Sequence, residues 1–222
     1  MYTHPSDLFA PHPPEVRNEP LAPGAWLLRG FAWDAATALL AGIEQVLASA
    51  PLRNMQTPGG RRMSVEMSNC GALGWISDRR GYRYVARDPL GGSPWPAMPE
   101  AFAELADRAA AAAGFPAFRP DACLVNCYRP GTRLALHQDR DEADLDAPIV
   151  SVSLGLPATF LFGGDARSDK PLRIPLRHGD VVVWGGPARL RHHGVMPLKD
   201  GHHEILGARR VNLTLRRAGG RL

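Results

Sequence analysis

Ala122-Cys123-Leu124-Val125-Asn126-Cys127-Tyr128-Arg129-Pro130-Gly131-Thr132-Arg133-Leu134-Ala135-Leu136-His137-Gln138-Asp139 carries the pattern that decides the fold. A run bounded by Ala122 and Tyr128, a Pro-Gly turn and a second run from Arg133 to Asp139 predict two strands joined by a turn. Side chains alternate along a strand, so Leu124, Asn126 and Tyr128 share one side. For the same reason His137 and Asp139 share one side. An imidazole and a carboxylate placed this way need only one more histidine to make a two-His, one-carboxylate face. That ligand set leaves positions open and suits a non-haem Fe(II) that activates oxygen. An isolated His-x-Asp reads equally well as a polar pair at a strand end, so the rest of the chain has to decide.

Downstream, further strands are predicted at Pro148–Leu156, Ala158–Phe162, Leu172–Leu176, Val181–Trp184 and Arg209–Arg217. Gly163-Gly164, Gly179-Asp180 and Gly185-Gly186 mark turns between them. Many short strands with regular turn signals indicate a sandwich or jelly-roll barrel. Upstream, Met1 to Pro23 is proline-rich without periodicity and reads as an extended arm, followed by a short strand over Gly24–Phe31. Asp34 is placed to N-cap a helix to about Ser49, with Leu39, Leu40, Ile43, Val46 and Leu47 on its core face. A second helix, Pro99 to Ala113, buries Phe102, Leu105 and Ala109 and stops at Gly114 and Pro116. Between the helices, Pro51–Pro96 alternates arginines, aromatics and turn residues and reads as two or three hairpins. The expected class is mainly β with α: a jelly-roll core, flanking helices and an N-terminal hairpin lid. Within one integrated domain, 1-50 forms the arm, strand and helix, 51-98 the lid and 99-222 the core.

The 222 residues are 45% hydrophobic and 22% charged, the composition of a globular chain with a sizeable core. No apolar run is long enough to span a membrane. Met1 to Arg17 lacks the charged start and apolar core of an export signal, so a cytoplasmic location is expected. Cys70, Cys123 and Cys127 are too few for a disulfide framework and read as buried thiols. Net charge is +4. Between Arg53 and Asp88, seven arginines (Arg53, Arg61, Arg62, Arg79, Arg80, Arg83, Arg87) face three acids, an excess equal to that whole net charge. Trp75, Tyr82 and Tyr84 lie among them. Cations beside stacking surfaces suit single-stranded nucleic acid or an extruded base. A solvated arginine face over a packed hairpin layer fits the same residues.

The last strand places Arg210, Asn212, Thr214 and Arg216 on one face and Val211, Leu213 and Leu215 on the other. Turned inward, two guanidiniums would need an anionic partner, and each can grip a carboxylate bidentately. A dicarboxylate fits; an exposed edge strand is the alternative. The missing imidazole should come from His192 or His193, where His193 has Gly194 beside it. His202-His203 reads as solvated and His178 as a turn residue.

Taken in order, these segments resemble the AlkB family of Fe(II)/2-oxoglutarate-dependent nucleic-acid dealkylases. The resemblance rests on Asn126-Cys127-Tyr128, Leu136-His137-Gln138-Asp139-Arg140-Asp141-Glu142, Pro148 to Gly155, His178 to Gly186, His193-Gly194 and Arg210 to Arg216. In the lid it rests on Asn69 to Trp75 and Pro94 to Pro99. It implies Fe(II) on His137, Asp139 and His193, with 2-oxoglutarate and O2 as cosubstrates. Arg210 and Tyr128 would hold the distal carboxylate of 2-oxoglutarate, and Arg216 and Asn126 the one beside the iron, with Asn212 in support. Trp75 and His193 would sandwich the base, Met67, Tyr82 and Tyr84 would line the lid, and Asp141 would face the base. Arg79, Arg80 and Arg167 are candidate phosphate contacts. The implied reaction is demethylation of 1-methyladenine and 3-methylcytosine in single-stranded DNA, with double-stranded DNA or RNA also open, by a monomer. A same-fold hydroxylase of a protein or small molecule would keep the iron and 2-oxoglutarate residues without needing the basic lid. A non-catalytic nucleic-acid-binding module would keep the lid and need not keep His137 or Asp139.

Overall fold

In the computed structural model, residues 15–220 are described; the first fourteen residues of the expected arm lie outside them. The rest of that arm is not loose. Arg17–Ala22 (β1) pairs antiparallel with Ala25–Arg29 (β2). The helix α1 spans Ala36–Ser49, and its cap position is Ala35 rather than the expected Asp34. Turns over residues 30–36 explain this, because the Gly30 and Trp33 carbonyls already accept from the Trp33 and Ala36 amides. No side chain caps the helix. Helix α2 spans Glu100–Ala112 and ends at Gly114, whose φ of +89° suits glycine. Gly42 of α1 has a packing reason, since a Cβ there would sit 2.8 Å from Phe102 of α2.

Fourteen strands form three antiparallel groups among the described residues. The remaining strands are Arg53–Gln56 (β3), Arg62–Gly71 (β4), Gly74–Asp78 (β5), Gly81–Val85 (β6), Ala122–Tyr128 (β7) and Leu134–His137 (β8). They continue with Ile149–Gly155 (β9), Ala158–Phe162 (β10), Leu172–Leu176 (β11), Val181–Trp184 (β12), His193–Val195 (β13) and Arg210–Arg216 (β14). The large sheet runs β1-β2-β12-β9-β14-β7-β4-β3, the small one β11-β10-β13-β8, and β5-β6 is a separate hairpin. From β7 to β14 the chain passes back and forth between the two sheets, with β10 and β11 paired as a hairpin in the small one, which is the expected jelly roll. The β3–β4 hairpin is not detached from it, because β4 hydrogen-bonds β7 with Cys70 opposite Cys123.

Two apolar layers hold this together. Val211, Leu213 and Leu215 of β14 join Val125, Val152 and Val183 beneath Leu39, Phe102 and Leu105 of the helices. Leu27, Trp184, Tyr128, Phe160, Phe162 and Ile174 pack between the two sheets. Both faces of β14 are buried, so the exposed-edge alternative fails and its polar face points into the sandwich. Leu213 is fully covered, and truncation there to alanine should cost about 2–5 kcal/mol.

Candidate active site

Two imidazoles meet because their strands are neighbours in register. His137 ends β8 and lies opposite His193 of β13, with ring centroids 4.4 Å apart. Gly194 permits that approach: a Cβ there would sit 2.7 Å from the Leu134 carbonyl oxygen. Each Nδ1 lies on a backbone oxygen, His137 on Ala135 at 2.9 Å and His193 on Arg191 at 3.0 Å. With Nδ1–H donated there, both Nε2 lone pairs face inward. They lie 3.6 and 3.5 Å from Oδ1 and Oδ2 of Asp139. All three ligand atoms fall within 4.8 Å of one another. Asp139 is not on the strand as expected. β8 stops at His137, and Asp139 is the second residue of a coil over residues 138–148.

The electrostatics suit a cation. Burial and the neighbouring His193 pull His137 down to about 4, so it is neutral at physiological pH. Burial alone would raise Asp139, but Arg216 and the two imidazoles hold it well below the usual carboxylate range. Arg216 bonds Oδ2 of Asp139 through Nε at 2.9 Å and Nη2 at 2.6 Å.

Behind this cluster lies a cavity of about 740 Å³ lined by Asn126, Tyr128, Arg210, Asn212, Thr214 and Arg216, among others. Arg210 is 1% exposed. One Nη2–H goes to Ser153 Oγ at 3.0 Å, and the guanidinium lies 4.9 Å from the Tyr128 ring centroid. Its Nε and Nη1 have no partner, nor does Oδ1 of Asn126. Asn212 is fixed by Ser151 Oγ and the Val152 carbonyl, both at 2.9 Å. A buried cation with unused donors fits a carboxylate that the protein does not itself supply.

The cavity mouth carries the lid. Trp75 stacks on Tyr82 at 5.6 Å with 12° between planes, and donates from Nε1 to Asp141 at 3.0 Å. Met67, Trp75, Tyr82 and Asp141 line the cavity. Tyr84 is not in that lining, and its hydroxyl donates to Glu142 at 2.7 Å. Strand alternation puts Tyr84 on the same side of β6 as Tyr82, so what draws its phenol away from the cavity is the hydrogen bond to the buried Glu142 carboxylate. Arg167 lines the rim together with Arg61, Arg62, Arg133 and Arg140. Arg79 and Arg80 instead sit exposed at the β5–β6 tip, outside that lining. His192 lines the cavity but is absent from the ligand cluster. His203 is half-buried rather than solvated, stacked 4.6 Å from His178.

Comparison with known proteins identifies the family. A family model described as the 2OG-Fe(II) oxygenase superfamily matches residues 24–216. The alpha-ketoglutarate-dependent dioxygenase AlkB of Salmonella typhimurium is 59% identical over 96% of this chain and 97% of its own. That of Escherichia coli is 57% identical over 96% and 98%. The chain belongs to the AlkB family. A solved AlkB relative, OsALKBH1, superposes with a TM-score of 0.79 at 30% identity, covering 90% of this chain and 100% of that one. As an AlkB-family member the chain is an Fe(II)/2-oxoglutarate-dependent dioxygenase; its His-Asp-His cluster fits the metal, and the two unused donors of Arg210 suit a carboxylate.

Two residues of this AlkB chain escaped the sequence reading. Arg189, 3% exposed, donates to the Asp139 carbonyl at 2.7 Å, the Ala147 carbonyl at 3.0 Å and Glu142 at 3.1 Å. Glu142, also buried, accepts from Tyr84 and lies 3.3 Å from Arg216 Nε. An arginine after a Gly-Gly-Pro turn and an acid within Asp139–Asp146 both look solvated. No local signal marks a buried ion pair 47 residues apart.

Proposed function

We propose that this dioxygenase demethylates N-alkylated bases such as 1-methyladenine and 3-methylcytosine in single-stranded DNA, with double-stranded DNA or RNA as further substrates. We place it in the cytoplasm as a monomer; its three buried free thiols suit a reducing compartment. The observation that carries the reading is that one cavity joins the His-Asp-His cluster, Arg210 with its two unused donors and the aromatic, arginine-rimmed mouth. No helix among the described residues is long and apolar enough to cross a membrane.

His137, Asp139 and His193 would hold the Fe(II). Arg210, beside Tyr128, would bind the distal carboxylate of 2-oxoglutarate, and Asn126, Asn212 and Arg216 would orient the end nearer the metal. Bound Fe(II) with 2-oxoglutarate supplies the O2 activation that hydroxylates the methyl carbon. The other products are succinate and carbon dioxide, and the hydroxymethyl group then leaves the nitrogen as formaldehyde. Trp75 and Tyr82 present ring faces to a base that methylation has made cationic, and the Asp141 carboxylate held by Trp75 adds attraction. Met67 closes the apolar wall.

The test is to measure succinate and formaldehyde together. Methylated single-stranded oligonucleotide should give both in equal amounts, and unmethylated oligonucleotide only slow uncoupled succinate. Duplex DNA and RNA arms rank the polymers. Equal rates with and without the methyl group would overturn the reading and favour a hydroxylase of another substrate.

A further inference from the structure

Asp139 has a demanding position with little regular structure behind it. β8 ends two residues earlier, and no ladder constrains residues 138–148. The carboxylate must nevertheless sit between two imidazoles, which are held by β8 and β13. Arg216 of β14 holds the carboxylate itself, and the backbone of the coil needs a further support from outside the strands.

The structure assigns that task to the Arg189–Glu142 pair, and we infer that these are positioning residues for Asp139. The backbone reaches Arg189 through one 3-10 turn, Gly186–Ala188, which turns its side chain inward. Its guanidinium then spans the coil: Nη1 on the Asp139 carbonyl, Nη2 on Glu142, Nε on the Ala147 carbonyl. A planar fork can serve three fixed acceptors; a lysine ammonium is a single point. Glu142 is the second hub. It takes Arg189 on Oε2 and Tyr84 on Oε1, with Arg216 3.3 Å from Oε1. Arg216 in turn bonds Asp139. The four charged groups balance, and all are at most 10% exposed at the side chain. Removing Arg189 alone would leave Glu142 buried with one cation fewer, drawing Arg216 away from Asp139. Tyr84 extends the chain to β6, so the same carboxylate links the seated lid to a metal ligand.

This inference rests on the ligand assignment above, and the test separates the two. Co(II) binding to the metal-free protein is followed by its visible absorption, with Asp139→Ala as the ligand control. Arg189→Lys and Arg189→Met should each weaken Co(II) at least tenfold and alter the band shape. Glu142→Gln added to Arg189→Met should recover most of the affinity, because it removes the uncompensated charge. Leu39→Ala, a core truncation beneath α1, should lower the melting temperature and leave Co(II) affinity unchanged. Should Arg189→Met fail to fold, Arg189→Lys decides. If wild type and Asp139→Ala bind Co(II) alike, the ligand assignment fails. If only Asp139→Ala weakens binding while both Arg189 variants match wild type, or the double variant is worse than Arg189→Met, the positioning role is overturned.

Discussion

Arg210 shows how a single residue can be held in readiness at a cost to the fold. Two of its donors are buried without partners, and an unmet buried group costs about 1–3 kcal/mol. A carboxylate that satisfies both should bind well, and a lysine cannot replace the fork. Arg210→Lys should therefore raise the KM for 2-oxoglutarate about 10- to 100-fold, as expected for losing a charge-assisted bond of roughly 1.5–3 kcal/mol. Arg210→Met should keep or raise the melting temperature without 2-oxoglutarate, and lose the upward shift that 2-oxoglutarate causes in wild type. A steep fall in the ligand-free melting temperature would show that the arginine serves the fold instead. Arg210 was readable in the sequence because period-two alternation groups it with Asn212, Thr214 and Arg216. Arg189 was not, since its acceptors are two carbonyls and a carboxylate on a distant coil.

At the level of elements, β7, β10, β11 and β12 end where the sequence places them. Turn residues such as Pro130-Gly131, Gly163-Gly164, Gly179 and Gly185 punctuate these strands. β8 ends early because its ladder partner β13 begins at His193, opposite His137, and offers no strand opposite Asp139, and α1 starts one residue late, after turns in which the Trp33 carbonyl takes the Ala36 amide. The β5–β6 hairpin has its own lock, as Arg83 grips Asp78 at 2.8 and 2.7 Å. Arg83 and the Arg80 amide hold the Asp78 carboxyl well below its usual range. The pair therefore contributes above the unfolded carboxyl value of about 3.9 and is lost as pH falls through the lower folded value. Asp78→Asn should speed amide exchange over residues 74–85 at pH 7. After correction for intrinsic rates, the difference from wild type should vanish only in strong acid. A difference unchanged at that acidity would assign the effect to the turn backbone. Trp75 on the same hairpin should act on substrate: Trp75→Ala should cost about 1–3 kcal/mol of base binding at every salt concentration. Uncoupled 2-oxoglutarate turnover should persist; its loss would make Trp75 part of the core.

On the scale of the whole molecule, the fold sorts the basic residues that composition only counts. Arg61, Arg62, Arg133, Arg140 and Arg167 ring the cavity, whereas Arg83 and Arg53 are spent on Asp78 and Asp88. Linear counting could not separate these groups, because a window of sequence spans both the rim and the far end of a hairpin. Arg140→Ala with Arg167→Ala should reduce the salt slope for single-stranded DNA by roughly 0.7 per contact. Arg79→Ala with Arg80→Ala should leave the slope unchanged while lesion preference stays the same in both. A flatter slope in the second variant alone would put the strand over the hairpin tip.

The three cysteines lie on β4 and β7, and all are buried. Burial also pushes the Cys123 and Cys127 thiols up, so an alkylating reagent finds no thiolate until the sheet opens. The molecule thus carries its own clock. Mass-resolved alkylation in a pulse should give unlabelled and triply labelled chains if the sheet opens as one unit. A singly labelled species carrying the tag at Cys70 would instead time the peeling of β4 from β7, and with it the departure of the strand that bears Met67.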